Sequence, residues 1–262
     1  GRIYQMVHVS TGAAPLDDTY VKHLDLCLAC RGCETACPSG VPYGRLIEHA
    51  RAEIASHRPK PWIMTFAFRQ LLPKRGNLKL AGWLLWLYQS TGLQTVARKL
   101  GLIPAGLRDA EALSPAVERP FFYESYGRVF PAEGRERYKV ALLGGCIANL
   151  SFARLNDATV RVLQKNGCTV HVPDSQNCCG ALHVHAGLRD EGRVLARQNV
   201  DALLAGGYDA IITNAAGCGS TLKEYDELLE HDSAYAEKGK AFVKLMKDVN
   251  EFLASIELNS DM

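Results

Sequence analysis

The chain is organised around the cysteine-rich run CLACRGCETACP at residues 27–38. Its spacing is C-x2-C-x2-C-x3-C-P, with thiols at Cys27, Cys30, Cys33 and Cys37. This pattern is typical of bacterial loops that bind [4Fe–4S] clusters, because short spacers let one loop reach several corners of a cubane. A zinc site would usually need two separated cysteine pairs, and buried structural thiols are the other alternative. The run therefore predicts an iron–sulfur protein.

Composition narrows the class of protein. The 262 residues are 47% hydrophobic and 22% charged, as in ordinary globular domains. The net charge of +2 offers no electrostatic case for nucleic-acid binding. Nine cysteines, eight of them in two metal-like groups, favour a reducing, cytoplasmic compartment over a disulfide framework. No signal peptide opens the sequence, which begins at Gly1, and we expect an internal fragment of a longer subunit.

Three regions are predicted, at residues 1–58, 59–135 and 136–262. In the first, residues 1–15 read as an extended lead-in, and Asp17 or Asp18 can cap a short helix that runs into Cys27. A second helix is expected from Pro42, since proline suits a first helical turn. Its apolar face would comprise Tyr43, Leu46, Ile47, Ala50 and Ile54. Helix, cysteine loop and helix together would form a ferredoxin-type [4Fe–4S] module.

The second region combines an aromatic-rich helical segment, from Pro61 to about Gly101, with a proline-punctuated linker. Leu78 to Tyr88 is apolar nearly all round and is too short to span a bilayer, which needs roughly 20 residues. A helix of this kind requires burial on all sides. It is either a packing helix inside the subunit or a docking surface for partner subunits or a membrane.

The third region alternates strands with helices. Buried strands are predicted at 139–143, 169–172 and 210–213, with helices at about 151–166 and 188–205. This alternation predicts an α/β fold with a parallel sheet and right-handed crossovers. An amphipathic helix over about 238–257 would close the chain, with an apolar stripe of Phe242, Val243, Leu245, Met246, Val249, Phe252 and Leu253.

A second group of cysteines follows the ends of these strands: Cys146, Cys178, Cys179 and Cys218. Because the carboxyl ends of parallel strands lie along one sheet edge, the topology would gather these thiols into a possible metal centre. Buried structural cysteine is the alternative. His183 and His185 follow closely and could be ligands, proton carriers or ordinary core or surface residues. Cys168 opens a strand away from this edge and is expected to be structural.

Five stretches together resemble the iron–sulfur subunit of bacterial glycolate oxidase. They are LDLC (24–27), CPSGVPYGR (37–45), LLGGC (142–146), CCGALHVH (178–185) and GCGSTLKEY (217–225). The similarity covers essentially the whole chain, and its cysteine-rich CCG domain is shared with heterodisulfide reductase-like proteins. The cluster run alone is common to many proteins, whereas its combination with a CCG domain is much more specific.

The resemblance implies two N-terminal [4Fe–4S] clusters, a pair of CCG domains, and FAD only on flavoprotein partner subunits that oxidise glycolate to glyoxylate. This chain would pass electrons from the flavin towards the respiratory chain. The membrane quinone pool is a possible acceptor, and a peripheral position on the inner face of the cytoplasmic membrane is a possible location. By position, Cys27, Cys30, Cys33 and Cys37 would be cubane ligands. The CCG cysteines would be Cys146, Cys178, Cys179 and Cys218.

The chain departs from the family pattern in three ways. The upstream cluster run is absent, so that Cys37 would serve a cluster whose main loop is missing, because in two-cluster ferredoxins the fourth cysteine ligates the other cluster. Only one CCG repeat is present, and Thr221 stands where the fuller pattern has a last cysteine. Alternative functions are a lactate or glycerol-3-phosphate dehydrogenase subunit, thiol–disulfide catalysis at Cys178-Cys179, and a cluster-stabilised scaffold.

Overall fold

The computed structural model describes residues 1–259, in which an α-helical N-terminal half precedes a five-stranded α/β domain. The α/β class and the helical N-terminal part are thereby confirmed, while the ferredoxin-type character of the first module and the three region boundaries stay predictions. The N-terminal helices are α1 (Arg2–Ser10), α2 (Asp18–Asp25), α3 (Gly32–Thr35) and α4 (Tyr43–His57).

The N-terminal helices share one small core. Asp17 caps α2 by accepting a hydrogen bond from the backbone N–H of Tyr20, as predicted. On α4, Ile47 is fully buried, but Leu46 is 36% exposed and lies off the predicted face. The prediction of an extended lead-in over residues 1–15 was wrong. Helix α1 forms there, because Met6 gains burial against α2 and α4.

Helices also dominate the middle region, and one surface of it stays exposed. The elements are α5 (Trp62–Phe66), a π-helical turn (Ala67–Leu71), α6 (Arg75–Ser90), α7 (Leu93–Lys99) and α8 (Arg108–Ala112), with 3-10 turns at Ala105–Leu107 and Phe122–Ser125. Leu78 and Gly82 of α6 are buried, and a Cβ on Gly82 would lie 2.7 Å from Leu150. The opposite side of α6 is not covered by residues 1–259 of this chain, since Leu80, Trp83 and Leu84 are 43–59% exposed, and the docking-surface alternative stays a prediction.

The sheet has the strand order β1-β3-β2-β4-β5 and is parallel except at one edge. Its strands are β1 (Val129–Phe130), β2 (Tyr138–Leu142), β3 (Cys168–His171), β4 (Ala210–Thr213) and β5 (Met246–Asp248). The three predicted strands are confirmed to within one residue. The edge strand β1, antiparallel to β3, was not predicted. Because β3 and β4 flank β2 on opposite sides, the order reverses beside β2, where open α/β sheets form ligand crevices.

Helices cover the sheet. They are α9 (Ala148–Ser151), α10 (Ala153–Lys165), α11 (Ala181–His185), α12 (Arg189–Leu204), α13 (Ala216–Leu222), α14 (Tyr225–Leu228), α15 (Ala236–Leu245) and α16 (Val249–Ala254). The single C-terminal helix was wrong, because β5 interrupts it: Met246, Lys247 and Asp248 pair with β4. Asp248 then caps α16 through a capping box.

Candidate functional site

The loop of residues 27–38 has a backbone shape that L-residues rarely adopt. Ala29 and Arg31 have φ angles of +52° and +57°, in the left-handed region. Such strain persists only where the surroundings impose it, and it is concentrated at functional sites. Ala29 directly precedes Cys30 and Arg31 directly follows it, so the strained backbone lies within the cysteine loop itself. Cys30 and Cys33 are exposed, whereas Cys27 and Cys37 are half-buried.

All four cysteines of the loop line one cavity of about 490 Å³, which Arg31 and Tyr43 also border. Within residues 1–259 no three Cys, His, Asp or Glu side chains converge closely enough for a single metal ion. Thiols spread around a cavity of this volume suit a multi-atom centre better than a mononuclear one. The predicted Cys27–Cys37 set is therefore brought together.

The surroundings of the sulfurs favour thiolate ligands. The backbone N–H of Ala29 lies 3.4 Å from Cys27 Sγ as a donor. Backbone N–H groups of Val41 and Ser39 hold the pKa of the Cys37 thiol below its ordinary value, because they stabilise the anion. Burial, and next the contact with Cys27, raises the pKa of Tyr43 to about 12, so this hydroxyl keeps its proton beside the sulfur. The cavity, the N–H donors and the thiols fit an iron–sulfur cluster.

The second cysteine group is also brought together, at the carboxyl ends of β2, β3 and β4. Cys146 Sγ and Cys178 Sγ lie 3.5 Å apart, and Cys179 contacts both Cys178 and Cys218. The first three are buried and Cys218 is half-buried. Cys218 lies inside the first turn of α13. Cys168 is fully buried in β3, away from this group, as predicted.

Buried amides hold the cysteine loops in place, and sequence reasoning missed them. Gln176 spans the first loop: its Nε2 donates to Leu142 O, and its Oε1 accepts from the N–H of Gly144. Asn156 donates to Gly144 O. Asn199 donates to Cys178 O, and the Tyr225 hydroxyl donates to Cys179 O at 2.7 Å. For Asn156 and Asn199, the signal available in the sequence was a polar residue on an otherwise apolar helical face.

The room beside these cysteines is small. The void next to Cys146 and Cys178 is about 10 Å³, which holds no more than a water molecule. Contact with Cys178 and burial raise the pKa of Cys146. The bond with Cys146 lowers the pKa of Cys178, but contact with Cys179 and burial outweigh it and raise that pKa to about 12. In this packing the thiols are neutral and leave no room for a multi-iron centre.

The two histidines after Cys179 serve different contacts. Nε2 of the buried His183 lies 2.7 Å from Phe68 O, and burial lowers its pKa. Nδ1 of His185 lies 3.2 Å from a carboxylate oxygen of Glu48. The structure thus joins His183 to the middle region and His185 to α4. Each histidine links the α/β domain to another region.

Within residues 1–259, no helix combines the length and apolar character needed to cross a bilayer.

Two family models match parts of the chain. Residues 59–114 match the linker region of the glycolate oxidase iron–sulfur subunit, and residues 140–223 match the cysteine-rich CCG domain. No solved structure matches the chain.

Two full-length relatives are similar to almost the whole chain. The probable glycolate oxidase iron–sulfur subunit of Bacillus subtilis is 40% identical across 99% of this chain and 60% of its own length. The glycolate oxidase iron–sulfur subunit of Escherichia coli is 32% identical across 97% of this chain and 58% of its own length. Lactate utilization protein A of Geobacillus thermodenitrificans is 26% identical across 45% of the chain and 48% of its own length. The chain spans about 60% of the length of the first of these relatives. Over almost its whole length the chain is similar to glycolate oxidase iron–sulfur subunits, and it contains regions that match their linker and a CCG cysteine-rich domain.

Proposed function

We propose that this chain is an iron–sulfur electron-transfer component of a glycolate-oxidising complex, and that Cys27, Cys30, Cys33 and Cys37 hold its [4Fe–4S] cluster. The observation that carries the proposal is the single cavity of about 490 Å³ lined by all four of these cysteines. When bound, such a cluster accepts and releases one electron at a time. The protein holds the thiolates, supplies N–H donors to Cys27 and Cys37, and keeps a neutral hydroxyl at Tyr43 beside the site.

The resemblance implies a second cluster in the family, reached through Cys37. In this chain Cys37 borders the same cavity as the other three cysteines, which supports one four-cysteine site. The metal role of Cys146, Cys178, Cys179 and Cys218 stays a prediction, since their present packing leaves about 10 Å³ beside them.

Hydride abstraction from a 2-hydroxy acid requires an acceptor such as a flavin. The glycine pair Gly144-Gly145 is not a G-x-G-x-x-G fingerprint, and we propose that FAD resides on flavoprotein partner subunits. The quinone pool as final acceptor, and a peripheral position on the inner face of the cytoplasmic membrane, belong to the same proposal. Support for the membrane position comes from the exposed apolar face of α6 and the basic character of the middle region.

Thiol–disulfide catalysis at Cys178-Cys179 is supported less well. Reactive cysteines are accessible and have lowered pKa values. These two are 3% and 2% exposed, and the pKa of each is raised.

The test is glycolate-dependent dye reduction by the complex assembled with its flavoprotein partners. Cys30→Ser should lower the rate at least tenfold, because an exposed ligand of the cluster is lost while no core packing changes. Cys168→Ala is the matched control, since this cysteine lies in β3 away from both centres, and its complex should keep its rate. Equal rates in Cys30→Ser and the wild type would show that the chain is a scaffold.

A further inference from the structure

Paired charges cross the contact between the N-terminal helices and the α/β domain. Arg31 pairs with Glu224, Arg45 with Glu227, and Arg189 with Glu48. Glu48 is 6% exposed, and an unpaired carboxylate at that depth would be costly. This contact is therefore specified by charge as well as by packing.

Arg31 holds the central position because it belongs to the cysteine loop itself. It lies between Cys30 and Cys33 and borders the cavity that all four cysteines line. Its guanidinium forms a fork on Glu224, with both N···O distances at 2.6 Å. Each partner is about one-quarter exposed, so solvent screens this pair only in part. A Cβ on Gly44 would lie 2.5 Å from Nε of Arg31, so the glycine leaves room for the fork.

The other end of the pair leads directly to the second cysteine group. Glu224 immediately precedes Tyr225, whose hydroxyl donates to the backbone oxygen of Cys179. Two consecutive residues therefore contact Arg31 of the cysteine loop and Cys179 of the second cysteine group. The link joins positions that are 193 residues apart in the sequence.

A second contact between the cysteine loop and the α/β domain reinforces the Arg31–Glu224 pair. Arg51 donates to Cys27 O at 2.5 Å and to His185 O at 3.0 Å, and so joins the cysteine loop to the end of α11. Gly187 allows the close approach: its φ is +81°, and a Cβ there would lie 2.2 Å from Arg51 O. The cysteine loop is thus held to the α/β domain at its first residue, through Arg51, and near its middle, through Arg31.

We propose that Arg31 is a positioning residue that holds the cluster loop against the CCG domain and, with Glu224, sets the reduction potential of the cluster bound by Cys27–Cys37. The inference rests on the proposed function, because it needs a cluster in the cavity that Arg31 borders. Reduction adds one negative charge to a cluster, so a cation beside it raises the potential, and the carboxylate of Glu224 offsets part of that effect.

The two partners should therefore shift the potential in opposite directions. Arg31→Ala removes the cation and lowers the potential, whereas Glu224→Gln removes the offsetting anion and raises it. Arg31→Lys keeps the charge and should stay near the wild type. The measurement is an EPR-monitored redox titration of the full chain loaded with iron and sulfide. If the link were purely structural, the reduction potentials of Arg31→Ala and Glu224→Gln would shift in the same direction or stay unchanged. Either result overturns the electrostatic role.

Docking is measured separately by hydrogen exchange at residues 225–228, with and without bound iron. Arg31→Ala and Glu224→Gln should each accelerate exchange about tenfold, since both break the same fork. The swap Arg31→Glu with Glu224→Arg should restore slow exchange while the potential stays below that of the wild type. Unchanged exchange in Arg31→Ala overturns the positioning role.

Arg45→Ala is the matched control, because its pair with Glu227 crosses the same contact without bordering the cavity. It should leave the potential unchanged, and a shift equal to that of Arg31→Ala would overturn the assignment to Arg31. A wild-type chain that takes up no iron would contradict the proposed function instead. The exchange measurement on the iron-free chain would still decide the docking part.

Discussion

At the scale of single residues, buried hydrogen bonds in the α/β domain hold its cysteine loops in place. Gln176, Asn199 and Tyr225 are at most 2% exposed, and each contacts the backbone beside a cysteine. The cysteines themselves were predictable, because their spacing and the strand ends that precede them are visible in the sequence. Their supporting amides were not, since a buried asparagine and a surface asparagine look alike in one sequence.

Tyr225→Phe tests this support. The change removes the donor to Cys179 O and leaves a buried carbonyl without that bond, which should lower the free energy of unfolding by about 1–3 kcal/mol. Tyr235→Phe is the control, because its hydroxyl bonds exposed Asp201 and its loss should cost less than about 0.5 kcal/mol. Urea unfolding of both variants checks the difference, and equal midpoints would contradict the supporting role of Tyr225.

At the scale of elements, the apolar periodicity of the sequence predicted the long, regular helices and the central strands. The capped helix α2, the helix α4 and the three central strands follow from apolar spacing. Strand β5 was missed because the residues on both sides of it are helical, and Met246 continues their apolar stripe. Strand β1 has only two residues, too few for a pattern. Tertiary pairing, which a local pattern does not contain, created both strands.

Helix α6 shows the same limit, since a sequence apolar all round does not reveal which face is covered. Leu78 and Gly82 face the α/β domain, while Leu80, Trp83 and Leu84 form an exposed stripe at helical spacing. Residues 59–114 contain eight Lys and Arg residues and two Asp and Glu residues. This segment therefore has a net charge of +6, whereas the whole chain has a net charge of +2. An apolar stripe in a basic region is typical of surfaces that bind anionic lipid.

We expect Leu84→Ser to reduce binding to phosphatidylglycerol vesicles about fivefold, because partial burial of a leucine contributes roughly 1 kcal/mol. Leu155→Ser is the matched control, since Leu155 of α10 is 50% exposed against 52% for Leu84. Vesicle flotation measures both. Equal loss in the two variants, or equal binding to neutral phosphatidylcholine vesicles, would argue against a specific membrane surface.

At the scale of the whole molecule, two cysteine centres lie in separate regions and charged side chains connect them. The sequence predicted both centres, but it contained no sign that Arg31 meets Glu224 or that Arg51 meets His185. Pairings between residues so far apart follow from how the regions dock, and one sequence without its relatives does not show docking. The proposed electron-transfer role therefore depends on whether the loop at residues 27–38 holds a cluster.

The most direct test is the iron and sulfide content of the chain after anaerobic reconstitution, together with the EPR spectrum of the dithionite-reduced protein. We expect about four iron atoms per chain, visible absorption that bleaches on reduction, and loss of both in Cys33→Ser but not in Cys168→Ala. A colourless, zinc-loaded wild-type chain, or full iron content in Cys33→Ser, would contradict it.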